Sequence, residues 1–211
     1  MPDQLSLYNG ALAIIKNRHL DSLTEDVEER YLLDLEYTKA IRFCLSEGLW
    51  NFALRATQLE PDDTNEPEWG DLYAFLKPDD FVRLNAIAGD QYFSNTLYEY
   101  TDEGDYWIAS INPLYVSYIS DGTAYGNNLA RWPASFERAV EYELASRIAP
   151  HLTSMSDADL QRLRKEKIEE LRNARSKDAM NQPTMFPPPG RLVRARQGSR
   201  YSANDGRPWW R

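Results

Sequence analysis

The chain has 211 residues, 42% hydrophobic and 12% aromatic, and its 24 Lys+Arg against 33 Asp+Glu give a formal net charge of −9. A chain of this length should bury roughly 70% of its unfolded surface, which excludes wholesale disorder and points to one domain or two small ones. No apolar run approaches the roughly 20 residues of a membrane helix, and Met1–Gln4 lacks the basic start and apolar core of a signal peptide. A single cysteine, Cys44, and two histidines leave neither an internal disulfide nor a His-rich metal site, so a soluble protein of a reducing cytoplasm is expected.

Residues 4–17 place Leu5, Tyr8, Leu12 and Ile15 at near-helical spacing, although Asn9-Gly10 opposes a helix there. A stronger helix is predicted from about Thr24 to Glu47. Ser22 and Glu25 have capping-box spacing, and Glu25, Asp26, Glu28 and Glu29 put negative charge into its first turns. Val27, Tyr31, Leu35, Ile41 and Leu45 are its expected apolar face, and Gly48 its stop.

From Leu49 to about Tyr125 the period changes. Phe81–Ile87 alternates after Pro78. Tyr98-Glu99-Tyr100 and Tyr106-Trp107-Ile108 flank Thr101–Asp105, which reads as a hairpin with Gly104 at the positive-φ position. Tyr115–Ile119 is a further strand before Asp121-Gly122, and together these predict a small antiparallel β unit. Helices return after Pro133, a first-turn residue, with Phe136, Val140, Leu144, Ile148 and Leu152 every four residues and Pro150 as a kink or stop. Ser156 is expected to cap a last helix carrying Asp157 and Asp159 in its first turn, the apolar stripe Leu160, Leu163, Ile168 and Leu171, and Arg172, Arg175 and Lys177 toward its end.

From Pro183 the material differs. Residues 183–211 hold six arginines and one acid, Asp205, leaving 18 basic and 32 acidic side chains in the first 182 residues, a charge of −14. Pro187-Pro188-Pro189-Gly190 and scattered arginines carry no helical or strand period, so an extended, disordered arm is predicted. The expected fold class is mainly α with a β insertion (α+β): a four-helix-bundle core from residues 1–48 and 127–182, a small antiparallel β unit over 49–126, and an extended C-terminal arm over 183–211.

The sequence lacks a phosphate-cradling loop, HExxH, CxxC and GxSxG. His19, in a loop, and His151, at a helix end, read as structural, and Cys44 as a small core residue. Glu60, Asp62, Asp63, Glu66, Glu68 and Asp71 invite a cation site or paired-carboxylate hydrolysis. Their spacing matches no EF-hand, and nothing supplies a nucleophile, so a solvated acidic loop is favoured. Asp79-Asp80 reads as turn chemistry. In the arm, Arg191, Arg194, Arg196, Arg200, Tyr201, Arg207, Trp209, Trp210 and Arg211 are the candidate partner-binding residues. Arg and Trp dominate interface hot spots, and the acidic body argues for a protein partner over base stacking on nucleic acid.

The order of these features resembles the tail tubular protein A family, the head-to-tail adaptors of short-tailed, T7-like bacteriophages. The resemblance covers roughly residues 5–180. It rests on a helical pair leading to Gly48-Leu49-Trp50-Asn51-Phe52-Ala53, on Tyr73–Leu84 entering a strand with Lys77 between Leu76 and Pro78, on Tyr115–Asp121, and on Trp132-Pro133-Ala134-Ser135-Phe136 with Ala139 and Leu144-Ala145. It implies a non-enzymatic virion protein without cofactor, in a ring of copies, a dodecamer, between the portal protein and the tail nozzle protein. DNA would pass as cargo, no membrane would be involved, and the arm would be the portal-docking element. The alternatives are another head- or tail-completion protein, a carboxylate hydrolase, or a nucleic-acid-binding protein acting through the arm.

Overall fold

The computed structural model describes residues 3–181 apart from 66, 68–71, 95 and 98. Contacts divide the chain into two units, Met1–Asn181 and Gln182–Arg211. The first unit is α+β. Among the described residues four helices, α1 (Gln4–Ile14), α2 (Glu28–Ser46), α3 (Ala134–Leu152) and α4 (Asp157–Ala179), bracket six strands, β1 (Leu54–Leu59), β2 (Tyr73–Leu76), β3 (Phe81–Ala88), β4 (Tyr100–Glu103), β5 (Tyr106–Ala109) and β6 (Leu114–Ser120).

α1 starts on a capping box: Asp3 accepts from the Ser6 amide, and Ser6 Oγ accepts from the Asp3 amide. It ends at Ile14, three residues short of the expected span, because Lys16 takes φ 57. The two residues that oppose a helix are both used by it. Asn9 binds the Leu20 backbone through donor and acceptor at 3.0 and 2.7 Å, tying down the following loop. A Cβ on Gly10 would run into the Glu141 side chain of α3, which would have to move aside.

α2 begins at Glu28, four residues later than predicted, with Val27 at its N-cap and no side-chain cap. Ser22 and Glu25 form a turn instead: Glu25 accepts from the Asp21 amide and pairs with Arg18, and Ser22 Oγ accepts from the Thr24 amide. The buried face is Leu33, Ala40, Ile41, Cys44 and Leu45, while the expected core residues Tyr31 and Leu35 face solvent. Four-residue spacing places side chains on one stripe, but only the partner helix decides which stripe is covered.

Pro133 is the N-cap of α3, one place before the expected first turn, and Pro150 lies inside its last turn without ending it. Ser156 caps α4 by accepting from the Asp159 amide at 3.2 Å, as expected; Leu163 and Leu171 are buried, whereas Ile168 is exposed. α3 packs against α1, α2 and α4, and all four helices contribute to one apolar core.

The β region is two antiparallel three-stranded sheets rather than one unit, ordered β1-β6-β3 and β2-β5-β4. The predicted hairpin is β4–β5, shifted a few residues, with Glu103 opposite Tyr106 and Gly104 at φ 56. A second core of Phe75, Ile87, Trp107, Ala109, Leu114, Val116 and Tyr118 lies where the sheets meet. Alternation on β6 assigns Leu114, Val116 and Tyr118 to that core and Ile119 to the helical one. Lys77 closes the hairpin end: its ammonium reaches Asp102 and the Gly104 carbonyl, both at 2.6 Å.

Candidate functional site

The candidate arm residues Arg191, Arg194, Arg196, Arg200, Tyr201, Arg207, Trp209, Trp210 and Arg211 lie outside the described residues, as do Glu66, Glu68 and Asp71 of the acidic run. The described residues show what surrounds the β insertion and how the other chemical groups are committed.

Where the chain leaves the helices for the sheets, Trp50 and Phe52 project inward; where it returns, Trp132 and Phe136 do. The four rings meet. Phe136 lies 4.7, 4.8 and 4.8 Å from Trp50, Phe52 and Trp132, each edge to face. Both indoles are satisfied, Trp50 on the Cys44 carbonyl at 2.9 Å and Trp132 on the Gly126 carbonyl at 2.7 Å. Each edge-to-face pair is worth about 0.5–1.5 kcal/mol beyond area burial, so this clamp holds exit and return together. The end of α4 is fastened at the same junction, through Asp178 to Asn51 and through Arg175 to the Glu47 carbonyl at 2.9 Å.

A second cluster ties the first sheet to the turn before β3. Asp80 accepts from Tyr118 and Arg55, both at 2.8 Å, and from Ser120. Burial pushes its carboxyl up, but the hydrogen bonds from Ser120, Arg55 and Tyr118 outweigh burial and hold it below the ordinary aspartate value. The Arg55 guanidinium also sits 5.6 Å from the Tyr125 ring. Turn chemistry at Asp79-Asp80 is thus joined by a cross-strand anchor, and the Ser120 hydroxyl is spent on it.

Between the helices, buried Glu143 of α3 meets Arg147 at 2.6 Å and Lys167 of α4 at 3.1 Å, and Arg147 continues to Glu36 of α2 at 2.9 Å. Hydrogen bonds from Lys39 and then Arg147 hold the Glu36 carboxyl below its usual range. Cys44 is buried beside this network, its thiol pushed up by burial, and its Sγ lies 4.0 Å from the Ala139 carbonyl.

Of the acidic run, Asp62 caps a turn. It accepts from the Thr64 amide and hydroxyl at 2.9 and 2.6 Å and from Tyr106 at 3.0 Å, and the Thr64 bonds foremost hold it below the ordinary aspartate value. Among the described residues, no three His, Cys, Asp or Glu come together as metal ligands. His19 is in a loop and His151 in the last turn of α3, both exposed. A cleft of about 230 Å³ between Ile14–Lys16 and the start of α4 has its rim occupied by the Arg162–Glu166 pair at 2.8 Å.

Sequence reasoning missed Asp178 and Glu143. Asp178 left a trace, because an acid in a helix's last turn opposes the macrodipole and needs another reason to be there. Glu143 and Arg147 stand at ion-pair spacing inside an apolar stretch, which is the corresponding trace for the buried network. No protein-family model matches the chain, and no curated protein matches it.

Proposed function

We propose that this chain is a non-enzymatic structural subunit of a virion. In this reading it is the head-to-tail adaptor of a short-tailed phage, assembled in the host cytoplasm as a ring, a dodecamer, at the portal vertex. Its partners are the portal protein, the tail nozzle protein and copies of itself; DNA is passing cargo, and no cofactor or membrane takes part. The four helices form one bundle from which the β region is an excursion.

The observation that carries this reading is the aromatic clamp. Two of the segments whose order carries the family resemblance, Trp50 with Phe52 and Trp132 with Phe136, are some eighty residues apart in sequence, yet their rings pack on one another. That packing supports a helical body with an inserted β module. The charge of −14 on the first 182 residues suits a bore through which DNA slides without sticking, because each phosphate contact would add a salt-dependent binding term. The basic residues 183–211, with Trp209 and Trp210, suit a docking segment for the portal.

Electron microscopy of the chain mixed with the portal protein from the same genome tests this, with full-length protein beside a version ending at Asn181. An added ring with the full-length chain alone supports both the adaptor and the docking role of the arm. A ring with both versions keeps the adaptor and overturns that role. No ring with either, from folded protein, overturns the reading.

A further inference from the structure

The first 182 residues carry a charge of −14, yet one stripe of α4 is basic. α4 packs on α3, and its outward side stays in water. Ile168 stands there, 60% exposed. Its neighbours on that stripe, at positions −4, −3, +4 and +7, are Arg164, Lys165, Arg172 and Arg175, all exposed. From Gln161 onward the stripe carries no acid. Asp157 lies one turn before it, and Glu169 borders it beside Lys165 and Arg172.

The stripe differs from the other exposed cations in being uncommitted. Arg18, Lys39, Arg42 and Arg138 each face an acid of their own chain. On α4, Arg162 pairs with Glu166 and Lys167 with Glu143, both off the stripe, and Arg175 meets Glu47 at 3.7 Å. Arg164, Lys165 and Arg172 form no ion pair among the described residues.

We infer that this stripe is a contact surface for the phosphates of duplex DNA. The inference goes beyond the adaptor reading, which assigns the cargo no contact residue on this chain. From Arg164 to Arg175 the stripe runs three turns, about 16 Å, and a duplex offers a phosphate on each strand about every 3.4 Å of its axis. A straight row of like charge therefore meets several phosphates without a groove or pocket. An acidic protein matches the charge as well, but a protein interface is built on an apolar core, and Ile168 is the one large apolar side chain on the stripe. The acidic remainder of the body repels the duplex. The contact is consequently weak and salt-labile, which suits a cargo that has to move on.

Fluorescence anisotropy of a labelled duplex of about 20 base pairs, titrated with the full-length chain across a salt series, tests this. One variant combines Arg164→Gln, Lys165→Gln and Arg172→Gln. A second combines Lys16→Gln, Arg131→Gln and Lys177→Gln, which removes the same charge at exposed positions off the stripe. The stripe variant should bind at least about tenfold more weakly at low salt, and its slope of log K against log salt should flatten by about 2–3. The second variant should stay within about twofold of the unsubstituted chain. Equal losses in both variants, or none in either, overturn the stripe as the contact, and so does an unsubstituted chain that binds no duplex at low salt. Ring formation on the portal protein scores the adaptor reading separately, because the stripe variant should still form rings. If that variant loses rings and keeps DNA binding, the stripe faces a protein and the proposed contact is overturned. If the unsubstituted chain forms no ring but binds DNA through the stripe, the adaptor reading fails and the contact stands.

Discussion

The Asp178 carboxylate, near the C-terminal end of α4, accepts a hydrogen bond from the Asn51 backbone amide at 2.9 Å, and Asn51 Nδ2 donates a second to the Asp178 backbone carbonyl at 2.8 Å. The pair joins the last helix to the residue where the chain turns into the β insertion. Burial pushes the Asp178 carboxyl above the ordinary aspartate value, against the opposing effect of hydrogen bonding from the Asn51 backbone and side chain.

Asp178→Ala should destabilise the fold by about 1–3 kcal/mol, because it leaves the Asn51 amide without its acceptor. Asp178→Asn keeps an acceptor oxygen and should cost less. Since the folded carboxyl holds its proton more tightly than the unfolded one, this group adds stability as pH falls through the folded value toward the ordinary one. Chemical denaturation at a series of mildly acidic pH values should show that increment in the native chain and its loss in D178N.

Asp80 has the opposite sign. Its carboxyl is held below the ordinary value, so its stabilisation is present above the unfolded aspartate range and is lost as pH falls through the folded value. Asp80→Ala strands Arg55, Tyr118 and Ser120 together, and a loss of about 3 kcal/mol is expected. Thermal melts at neutral and strongly acidic pH should show D80A much less stable than the native chain at the first and converging with it at the second.

Gly10→Ala tests the close approach of α1 to α3. Alanine is a better helix former by about 1 kcal/mol, yet its Cβ would meet Glu141, so the single substitution should destabilise. In an E141A background the same change should become neutral or stabilising. A double-mutant cycle should therefore give a coupling of about 0.5–3 kcal/mol, and a coupling near zero would show that Glu141 swings aside freely.

Backbone conformation alone is tested at two turns. Gly104 has φ 56 and open space around its Cβ position, so Gly104→Ala should cost about 1 kcal/mol through the left-handed conformation and nothing else. Lys16, at φ 57 just past the end of α1, should respond the other way: Lys16→Gly should stabilise by up to about 1 kcal/mol. Equilibrium unfolding of both variants reads these values directly.

Local patterns announced the elements well. The helix, β, helix order, the Gly104 hairpin, the Ser156 cap and the helical spans around Leu12, Leu45, Ile148 and Leu171 all follow from period, turn chemistry and capping, which act over three or four residues. Ser22 and Glu25 show where that logic slips. A capping-box spacing is satisfied equally by a free-standing turn, and Glu25 is held by the Asp21 amide and Arg18 there.

Partner choice belonged to the tertiary structure. Tyr31, Leu35 and Ile168 have the same spacing and hydropathy as buried neighbours, and are exposed only because α3 covers the adjoining stripes of α2 and α4. One residue of register on β6 separates Tyr118, in the inter-sheet core, from Ile119, in the helical one. Asp80, Glu143 and Asp178 each depend on partners at least 24 residues away (Lys167 for Glu143, Arg55 for Asp80, Asn51 for Asp178). Short-range propensity fixes how a segment bends, whereas burial and charge pairing depend on which distant segments meet it. That second layer turned locally predictable segments into a clamped body that buries one stripe of α2 and α4 and leaves Tyr31, Leu35 and Ile168 in water.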